Sequence, residues 1–269
     1  MIENIGFMQG RLSPIIGGRI QSFPWECWQQ EIGLANKLDI KTMEWTLDYD
    51  RLYENPLMTK NGQREIVSLC KANGFSIPSL TGDCFMQAPF WKVNDVSYRQ
   101  QLKNDFKSIV RACSNVGIEL IVIPLVDGGS LENYEQEMIL IDFLLQQQPF
   151  LKEIGLRIIF ESDFSPAELN RFITQFDKDI FGINYDIGNS ASLGLCPEEE
   201  FSFFGDRILN VHVKDRLLGG TTVPLGDGHA DFCNVYRLLK SLNYRGNYIL
   251  QTARADDDNH SEVLLKYKR

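Results

Sequence analysis

Basic residues are scarce in this chain relative to acidic ones. Its 269 residues include 27 Lys and Arg against 36 Asp and Glu, which gives a formal net charge of −9 at pH 7. Nucleic acids and anionic membranes are bound through basic faces that neutralise their phosphate groups. The chain also has no run of about 18 apolar residues that could cross a membrane. We therefore expect neither nucleic acid nor a membrane as a partner.

A regular cysteine pattern is missing as well. The cysteines form no C-x-x-C pair and no short repeated spacing, so neither a disulfide framework nor a thiolate metal site is indicated. The first residues show no basic segment followed by a long apolar stretch, which favours folded structure over a signal peptide. We therefore expect a reduced, cytoplasmic protein with buried thiols, the six cysteines being Cys27, Cys70, Cys84, Cys113, Cys196 and Cys233.

Low-complexity segments and Ser/Pro-rich linkers are absent too, and the composition is 43% hydrophobic and 23% charged. Such a composition is typical of an ordered globular protein with a large core and excludes disordered or fibrous architectures. At roughly 150 residues per domain the length would suggest nearly two domains, but α/β barrels run to roughly 250 residues as one. The pattern below favours a single domain over residues 1–269.

Eight short apolar runs, rich in β-branched and aromatic residues, alternate with longer segments of helical periodicity. The runs predict strands at Ile5–Gln9, Ile40–Trp45, Ser76–Thr81, Leu120–Leu125, Leu156–Glu161, Phe181–Asp186, Ile208–Val213 and Asn247–Gln251. The intervening segments predict helices at Pro24–Leu38, Thr59–Asn73, Val96–Val116, Leu131–Ile154, Pro166–Phe176, Pro197–Phe204 and Ala230–Leu242, with a short closing helix from Ser261.

Glycine and proline mark the ends of these helices. Gly74, Gly117 and Gly155 each follow a helical segment, where a left-handed residue ends the helix. Pro166 and Pro197 stand at first helical positions, where the missing N–H group is not needed. Eight alternating units predict a parallel sheet closed into an α/β (β/α)8 TIM barrel. The alternative is an open doubly wound sheet, but no G-x-G-x-x-G follows the first strand to support it.

Four of the predicted strands carry polar residues where a barrel places its functional site, at the carboxyl ends. They are Glu161, Asp186, His212 and Gln251. Taken singly, Glu161 could be a solvated strand-end charge, Asp186 an Asx-turn residue and His212 a core histidine. Equivalent positions on successive strands favour a joint role. Carboxylate, imidazole and amide donors suit one divalent ion, which is Mn, Mg, Co or Zn.

Five segments of the chain form a recognisable set, which is Met8–Pro14, Phe160-Glu161, Asp186-Ile-Gly-Asn189, His212-Val-Lys-Asp215 and Leu225–Phe232. Together they resemble the xylose-isomerase-like TIM-barrel family of sugar-phosphate isomerases and epimerases. The resemblance extends over nearly the whole chain. It implies a barrel whose fifth to eighth strands hold one divalent ion, which polarises substrate oxygens while carboxylates move protons between adjacent carbons.

Carried over position by position, the resemblance implies Glu161, Asp186 and His212 as the first three metal ligands. The family's fourth ligand is usually glutamate, whereas this chain has Gln251. An amide oxygen can still bind a cation, but the substitution removes one negative charge and cannot transfer a proton. The implied catalytic residues are Glu161, as ligand and base, and His212.

The missing carboxylate bears on the reaction. An aldose–ketose isomerisation through an enediol can proceed with one base, so we favour an isomerase of a small sugar or sugar phosphate. Epimerisation or dehydration needs a second acid or base, for which Glu44, Asp83 or Lys214 would have to reach the substrate. A third alternative is a barrel that has lost catalysis and kept ligand binding.

Further polar residues lie near the predicted strand ends. Basic ones among them suggest an anion pocket for a phosphorylated or acidic sugar, and Gly226-Asp-Gly228 is a weak phosphate-binding signal. Further copies of the chain are another candidate partner, because barrels of this size commonly associate. The predicted substrate-binding residues are Gln9, Arg11, Glu44, Asp83, Asn189, Lys214, Arg216 and Arg254.

Overall fold

The computed structural model describes residues 4–255, 257 and 259–268. Eight strands in it form a closed parallel barrel in which each strand pairs with its neighbours in the chain and the last pairs with the first. The predicted (β/α)8 barrel is therefore confirmed, and the open sheet is excluded. The barrel strands are β1 (Ile5–Met8), β2 (Thr42–Thr46), β3 (Ser76–Thr81), β4 (Leu120–Leu125), β5 (Arg157–Ser162), β6 (Phe181–Asp186), β7 (Ile208–Val213) and β8 (Asn247–Leu250).

Helices connect these strands on the outside of the barrel. The described ranges contain α1 (Trp28–Lys37), α2 (Lys60–Asn73), α3 (Asp83–Gln87), α4 (Val96–Val116), α5 (Tyr134–Ile154), α6 (Pro166–Ile173), α7 (Ile187–Leu193), α8 (Pro197–Phe204), α9 (Phe232–Ser241) and α10 (His260–Lys268). Short 3₁₀ turns occur at Leu52–Glu54, Pro56–Met58, Phe90–Lys92, Asp127–Gly129 and Gly205–Arg207. A small antiparallel hairpin, Asp215–Arg216 with Thr222–Val223, follows β7.

The predicted helix ends agree with the structure. Gly74, Gly117 and Gly155 adopt φ values of 56°, 85° and 70° directly after α2, α4 and α5, in the left-handed region that favours glycine. Pro166 and Pro197 occupy the first positions of α6 and α8. The sequence did not predict α3 and α7, which follow β3 and β6 at the mouth of the barrel.

Apolar residues of the strands divide into two sets. On β4, Ile121, Ile123 and Leu125 belong to the large core between strands and helices, whereas Leu120 and Val122 belong to a separate small cluster. Alternation along a strand sends successive side chains to opposite faces, so this small cluster fills part of the barrel interior. Polar side chains fill much of the rest and lead up to the mouth.

Two remaining expectations concern the surface and the thiols. None of the helices in the described part of the chain is long and apolar enough to cross a membrane. The six cysteines are free, but only Cys84 and Cys113 are buried, while Cys196 and Cys233 are exposed. The expectation of buried thiols therefore holds for part of the set.

Candidate functional site

Three of the predicted metal ligands meet at the carboxyl end of the barrel. Glu161, Asp186 and His212 are buried, and each offers one ligand atom within 4.8 Å of the other two. Asp186 and His212 are register partners on β6 and β7. His212 Nδ1 lies 3.2 Å from Glu161 Oε2 and 3.8 Å from Asp186 Oδ2. These three residues form a buried ligand group that could hold a metal ion.

Glu44 lies behind His212 in the barrel interior. Its Oε1 is 2.7 Å from His212 Nε2, and both side chains are 0% exposed. Its carboxylate also accepts hydrogen bonds from Ser79 (2.6 Å), Thr81 and Asn210 (2.8 Å). We expected Glu44 to contact substrate, but the structure engages it fully with donors below the site. Its carboxylate instead orients the imidazole, as carboxylates commonly do behind metal-ligating histidines.

The buried charges shift one another's pKa values. Burial alone would lower the pKa of His212, but the carboxylates of Glu44, Asp186 and Glu161 raise it well above its ordinary value. Burial would raise the pKa of Glu44, but His212 and the hydroxyl donors lower it. The interior therefore favours an ionised Glu44, so His212 directs its Nε2 toward a negative charge and its Nδ1 toward the ligand group.

Asp186 uses its two oxygens separately. Oδ1 accepts a 2.8 Å hydrogen bond from the Asn189 backbone N–H and caps α7. Oδ2 lies 2.6 Å from Lys214 Nζ. Burial would raise the pKa of Asp186, but Lys214 and His212 hold it far below its ordinary value. The turn interpretation of this residue is thus correct for one oxygen, and the second oxygen faces the ligand group.

Amide side chains hold Glu161 in place. Asn184 Nδ2 donates to its Oε2 at 2.9 Å, and Asn189 Nδ2 donates to its Oε1 at 2.5 Å. Asn210 in turn donates to Asn184 Oδ1 at 2.8 Å. The sequence interpretation missed Asn184 and Asn210. Each lies two residues before a predicted ligand on the same strand, so the strand's period of two could have placed them on the inward face.

The donor set fits a divalent cation. Glu44, Glu161 and Asp186 bring three negative charges, whereas two cationic groups contact them, Lys214 and the imidazole of His212, whose pKa is raised. Gln251 Oε1 is buried without a hydrogen-bond partner among the described residues, although buried carbonyl oxygens are normally paired. An unpaired acceptor and excess negative charge are what a bound cation would satisfy. With one imidazole and no thiolate, the donors suit Mn, Mg, Co or Zn.

A cavity of about 740 Å³ opens above this group. It brings together Glu161 and five further predicted site residues, which are Asp83, Asn189, Lys214, Arg216 and Gln251. Arg216 Nη1 donates to Asn189 Oδ1 at 2.8 Å, so the hairpin after β7 is linked to α7. Cavity residues that the sequence interpretation missed include Arg19, Gln21, Gln87, Asp127, Asp163 and Thr222. They lie in loops, short helical segments and the hairpin, where no periodic pattern marks them.

Arg11 and Arg254 do not line this cavity in the part of the chain that the structure describes. Arg11 donates to the carbonyl oxygens of Thr252 (2.9 Å) and Ile20 (2.8 Å), and burial lowers its pKa to about 9. Arg254 donates to the carbonyls of Gly10 and Ser13. Both side chains therefore tie the loop after β1 to the segment after β8, instead of forming the expected anion pocket.

Gln9 lies in the same region, outside the described cavity lining. Its Oε1 accepts a 3.1 Å hydrogen bond from the Thr46 backbone N–H, which joins β1 to β2. The residue is fully buried. In this structure Gln9 thus supports the strand ends beneath the mouth.

The Gly226-Asp-Gly228 segment does not offer free N–H groups to a phosphate. The backbone N–H groups of Gly226 and Gly228 donate to Asp215 Oδ2 at 2.9 and 3.0 Å, and that of Ala230 donates to Asp215 Oδ1. A Cβ atom at Gly228 would overlap this carboxylate. Asp215 therefore occupies the position that the weak sequence signal assigned to an external anion.

Asp83 is a further carboxyl group in the cavity lining, beside Glu161, Asp127 and Asp163. It begins α3, is mostly buried, and accepts a 2.8 Å hydrogen bond from Gln21 Nε2. Burial raises its pKa to about 7, with further increases from Asp48 and Glu161. A carboxyl with this pKa can both accept and donate a proton near neutral pH.

Comparison with known proteins agrees with the fold. The family model described as a xylose isomerase-like TIM barrel matches residues 32–266. The chain is 27% identical over 236 residues to the L-ribulose-5-phosphate 3-epimerase UlaE of Escherichia coli O1:K1, covering 84% of this chain and 82% of UlaE.

Two solved structures share the architecture. The IOLI protein with a bound zinc atom has a TM-score of 0.76 at 15% identity, covering 99% of this chain and 96% of that one. The 3-keto-D-glucoside 4-epimerase YcjR from E. coli has a TM-score of 0.73 at 17% identity, covering 98% and 99%. These two likenesses concern the fold, whereas the family match spans most of the sequence. The chain belongs to the xylose isomerase-like TIM barrel family.

Proposed function

We propose that this protein is a divalent-metal-dependent epimerase of a ketose or ketose phosphate, acting at the carbon next to the carbonyl. The observation that carries the proposal is that Asp83 lines the same cavity as Glu161, which belongs to the buried Glu/Asp/His group. A sugar isomerase or epimerase is supported by relatives such as UlaE, whose name denotes a sugar-phosphate 3-epimerase.

Glu161, Asp186 and His212 would hold the metal ion, with the Gln251 amide oxygen as the fourth donor. The ion supplies Lewis acidity, polarising the substrate carbonyl and an adjacent hydroxyl so that the neighbouring C–H group becomes acidic. Glu161 accepts the proton of that C–H group. Asn184 and Asn189 fix its carboxylate for this role.

Asp83 serves as the second acid, delivering a proton to the opposite face of the same carbon. The sequence suggested two other residues as the second acid or base, and both are less suited. Glu44 is engaged beneath His212, and Lys214 is paired with Asp186. The pKa of Asp83, about 7, suits proton delivery at neutral pH. An isomerase was favoured because the sequence indicated only one base. Since Asp83 supplies a second acid or base, we favour epimerisation.

The substrate we propose is a small ketose phosphate. Arg19, Lys214 and Arg216 line the cavity, and arginine and lysine side chains are the usual partners of phosphate oxygens. Asn189 and Gln251 offer amide groups suited to sugar hydroxyls. A cavity of about 740 Å³ accommodates a five- or six-carbon sugar phosphate with bound water.

The test begins with a measurement of the metal content of the purified protein. The protein is then incubated in deuterated water with ketopentose and ketohexose phosphates, and with the free ketoses. We expect stoichiometric metal, formation of one epimer, and deuterium at a single carbon next to the carbonyl. An aldose product with no epimer would show the one-base isomerase instead. Bound metal without exchange on any sugar would favour a ligand-binding barrel, and absence of metal would contradict the site assignment. Glu161→Gln should abolish exchange.

A further inference from the structure

A chain of two hydrogen bonds links Gln251 to Asp83 through Gln21. Gln251 Nε2 donates to Gln21 Oε1 at 2.9 Å, and Gln21 Nε2 donates to Asp83 Oδ2 at 2.8 Å. The three residues come from the segment after β8, the loop after β1 and the start of α3, and all line the same cavity. The other end of the Gln251 amide, Oε1, is buried without a partner among the described residues.

The two hydrogen bonds run in one donor-to-acceptor direction, and Asp83 sets that direction. An ionised carboxylate can only accept hydrogen bonds, so Gln21 must turn its Nε2 toward Asp83. The Gln21 oxygen then faces Gln251, which can meet it only with its own Nε2. In this arrangement Gln251 Oε1 is the amide atom that points away from Gln21. In the reverse orientation, the side-chain oxygen of Gln251 would face the side-chain oxygen of Gln21. The NH₂ group of Gln251 would then point away from Gln21.

The direction matters because a cation binds the oxygen of an amide and not its NH₂ group. A glutamate at this position would need no such control, since both of its oxygens are acceptors. A glutamine presents a ligand atom only in one of its two orientations. Partners that orient metal ligands commonly affect metal affinity by 10- to 100-fold.

We propose that Gln21 and Asp83 are positioning residues that fix the Gln251 amide with its oxygen toward the divalent cation, so that a glutamine serves as the fourth ligand. The inference rests on the metal dependence in the proposed function. Gln21 acts through Gln251, and its role is therefore visible in metal binding without any turnover.

The experiment is calorimetric titration of the metal-free full chain with Mn²⁺ at pH 8, where Asp83 is ionised. Gln21→Met removes both hydrogen bonds and keeps the charge of Asp83, and we expect it to weaken Mn²⁺ binding by about 10-fold. The same substitution in a Gln251→Glu background should change the affinity by less than about 2-fold, because a carboxylate needs no orientation.

Gln87→Met is the matched control. Gln87 lines the same cavity and donates to Asp48 at 2.8 Å, but it does not contact Gln251. We expect its Mn²⁺ affinity to equal that of the unmodified chain. Thermal unfolding of each metal-free variant checks folding. If Gln21→Met fails to fold, Asp83→Asn replaces it, since an asparagine can donate as well as accept and no longer fixes the direction.

The outcomes separate the two proposals. Wild-type affinity in Gln21→Met overturns the positioning role, and so does an equal loss in the Gln251→Glu background. A loss confined to the glutamine background supports it. If the unmodified chain binds no Mn²⁺, the metal-dependent function fails and the positioning role fails with it. If it binds Mn²⁺ and Gln21→Met matches it, only the positioning role is lost.

Discussion

Nε2 of His212 lies 2.7 Å from Oε1 of Glu44, across the interior of the barrel between β7 and β2. Since the carboxylate accepts, the imidazole carries a proton on Nε2. The raised pKa of His212 favours a second proton on Nδ1, and a cation bound near Glu161 and Asp186 would displace that second proton and leave the one on Nε2. Glu44 thus determines the tautomer of the histidine at the site without contacting the cavity itself.

Glu44→Gln should weaken Mn²⁺ binding by about 10- to 100-fold. The amide lacks the negative charge and places an NH₂ group among the donors that now surround the carboxylate. Calorimetric titration of the metal-free protein measures the effect. Glu137→Gln is the control, because Glu137 is also buried but pairs with Arg171 between α5 and α6. Equal affinities for Glu44→Gln and the control would refute the role of Glu44.

Asp83→Asn should abolish epimerisation but retain hydrogen–deuterium exchange for one of the two epimers. The epimer whose C–H group faces Glu161 should still exchange its proton for deuterium, whereas the opposite epimer should not. NMR of each epimer in deuterated water distinguishes the two faces. Wild-type epimerisation by Asp83→Asn would show that another group delivers the proton. Loss of exchange from both epimers, with Mn²⁺ still bound, would also contradict the assignment.

Metal removal should destabilise the fold and abolish turnover. At a free Mn²⁺ concentration 100 times the dissociation constant, binding should raise the free energy of unfolding by about 2.7 kcal/mol. Urea unfolding with and without EDTA measures the difference, and added Mn²⁺ should restore both properties. His212→Ala should show no stabilisation by Mn²⁺. A stabilisation that survives this substitution would place the ion elsewhere.

The stability of the protein should depend on the protonation of Glu200. Tyr185 and Ser190 donate to its carboxyl at 2.8 and 2.5 Å, yet burial raises its pKa from 4.5 to about 7. The folded state thus binds this proton more tightly than the unfolded state. Its contribution is present in full below about pH 4.5 and is lost as the pH rises through about 7.

Glu200→Gln removes that titration. Between pH 5 and pH 8 the free energy of unfolding of the unmodified chain should fall relative to that of the variant by up to about 3 kcal/mol. Urea unfolding of the metal-free proteins at several pH values gives the two curves. Parallel curves over this range would mean that the pKa of Glu200 is not raised by folding.

The barrel was predictable because apolar runs, glycine helix ends and proline helix starts agreed along the chain. The two helices that escaped prediction, α3 and α7, have five and seven residues, too few to show a helical period. Asp186 caps α7 with its side chain, whereas α3 begins without a side-chain cap. The cap at Asp186 is a local signal for α7 that a search for helical periodicity does not detect.

The meeting of three predicted ligands at one place was predictable for a different reason. Glu161, Asp186 and His212 occupy strand ends, and the barrel fixes where strand ends meet. Arg11 and Arg254 were not predictable in the same way, since a basic residue in a loop can turn toward the cavity or toward backbone carbonyls. Gln21 carries no sequence signal, because its importance arises from two partners that are distant in the chain.

Arg11 and Arg254 also bear on how this protein could diverge. They secure both ends of the loop after β1, through Gly10 and Ser13 at one end and Ile20 at the other. Residues 14–19 between these anchors are exposed and make no contact with the ligand group in the described chain. Substitutions there could alter substrate choice while the metal chemistry stays intact, which makes this short segment a natural target for engineering new sugar specificity.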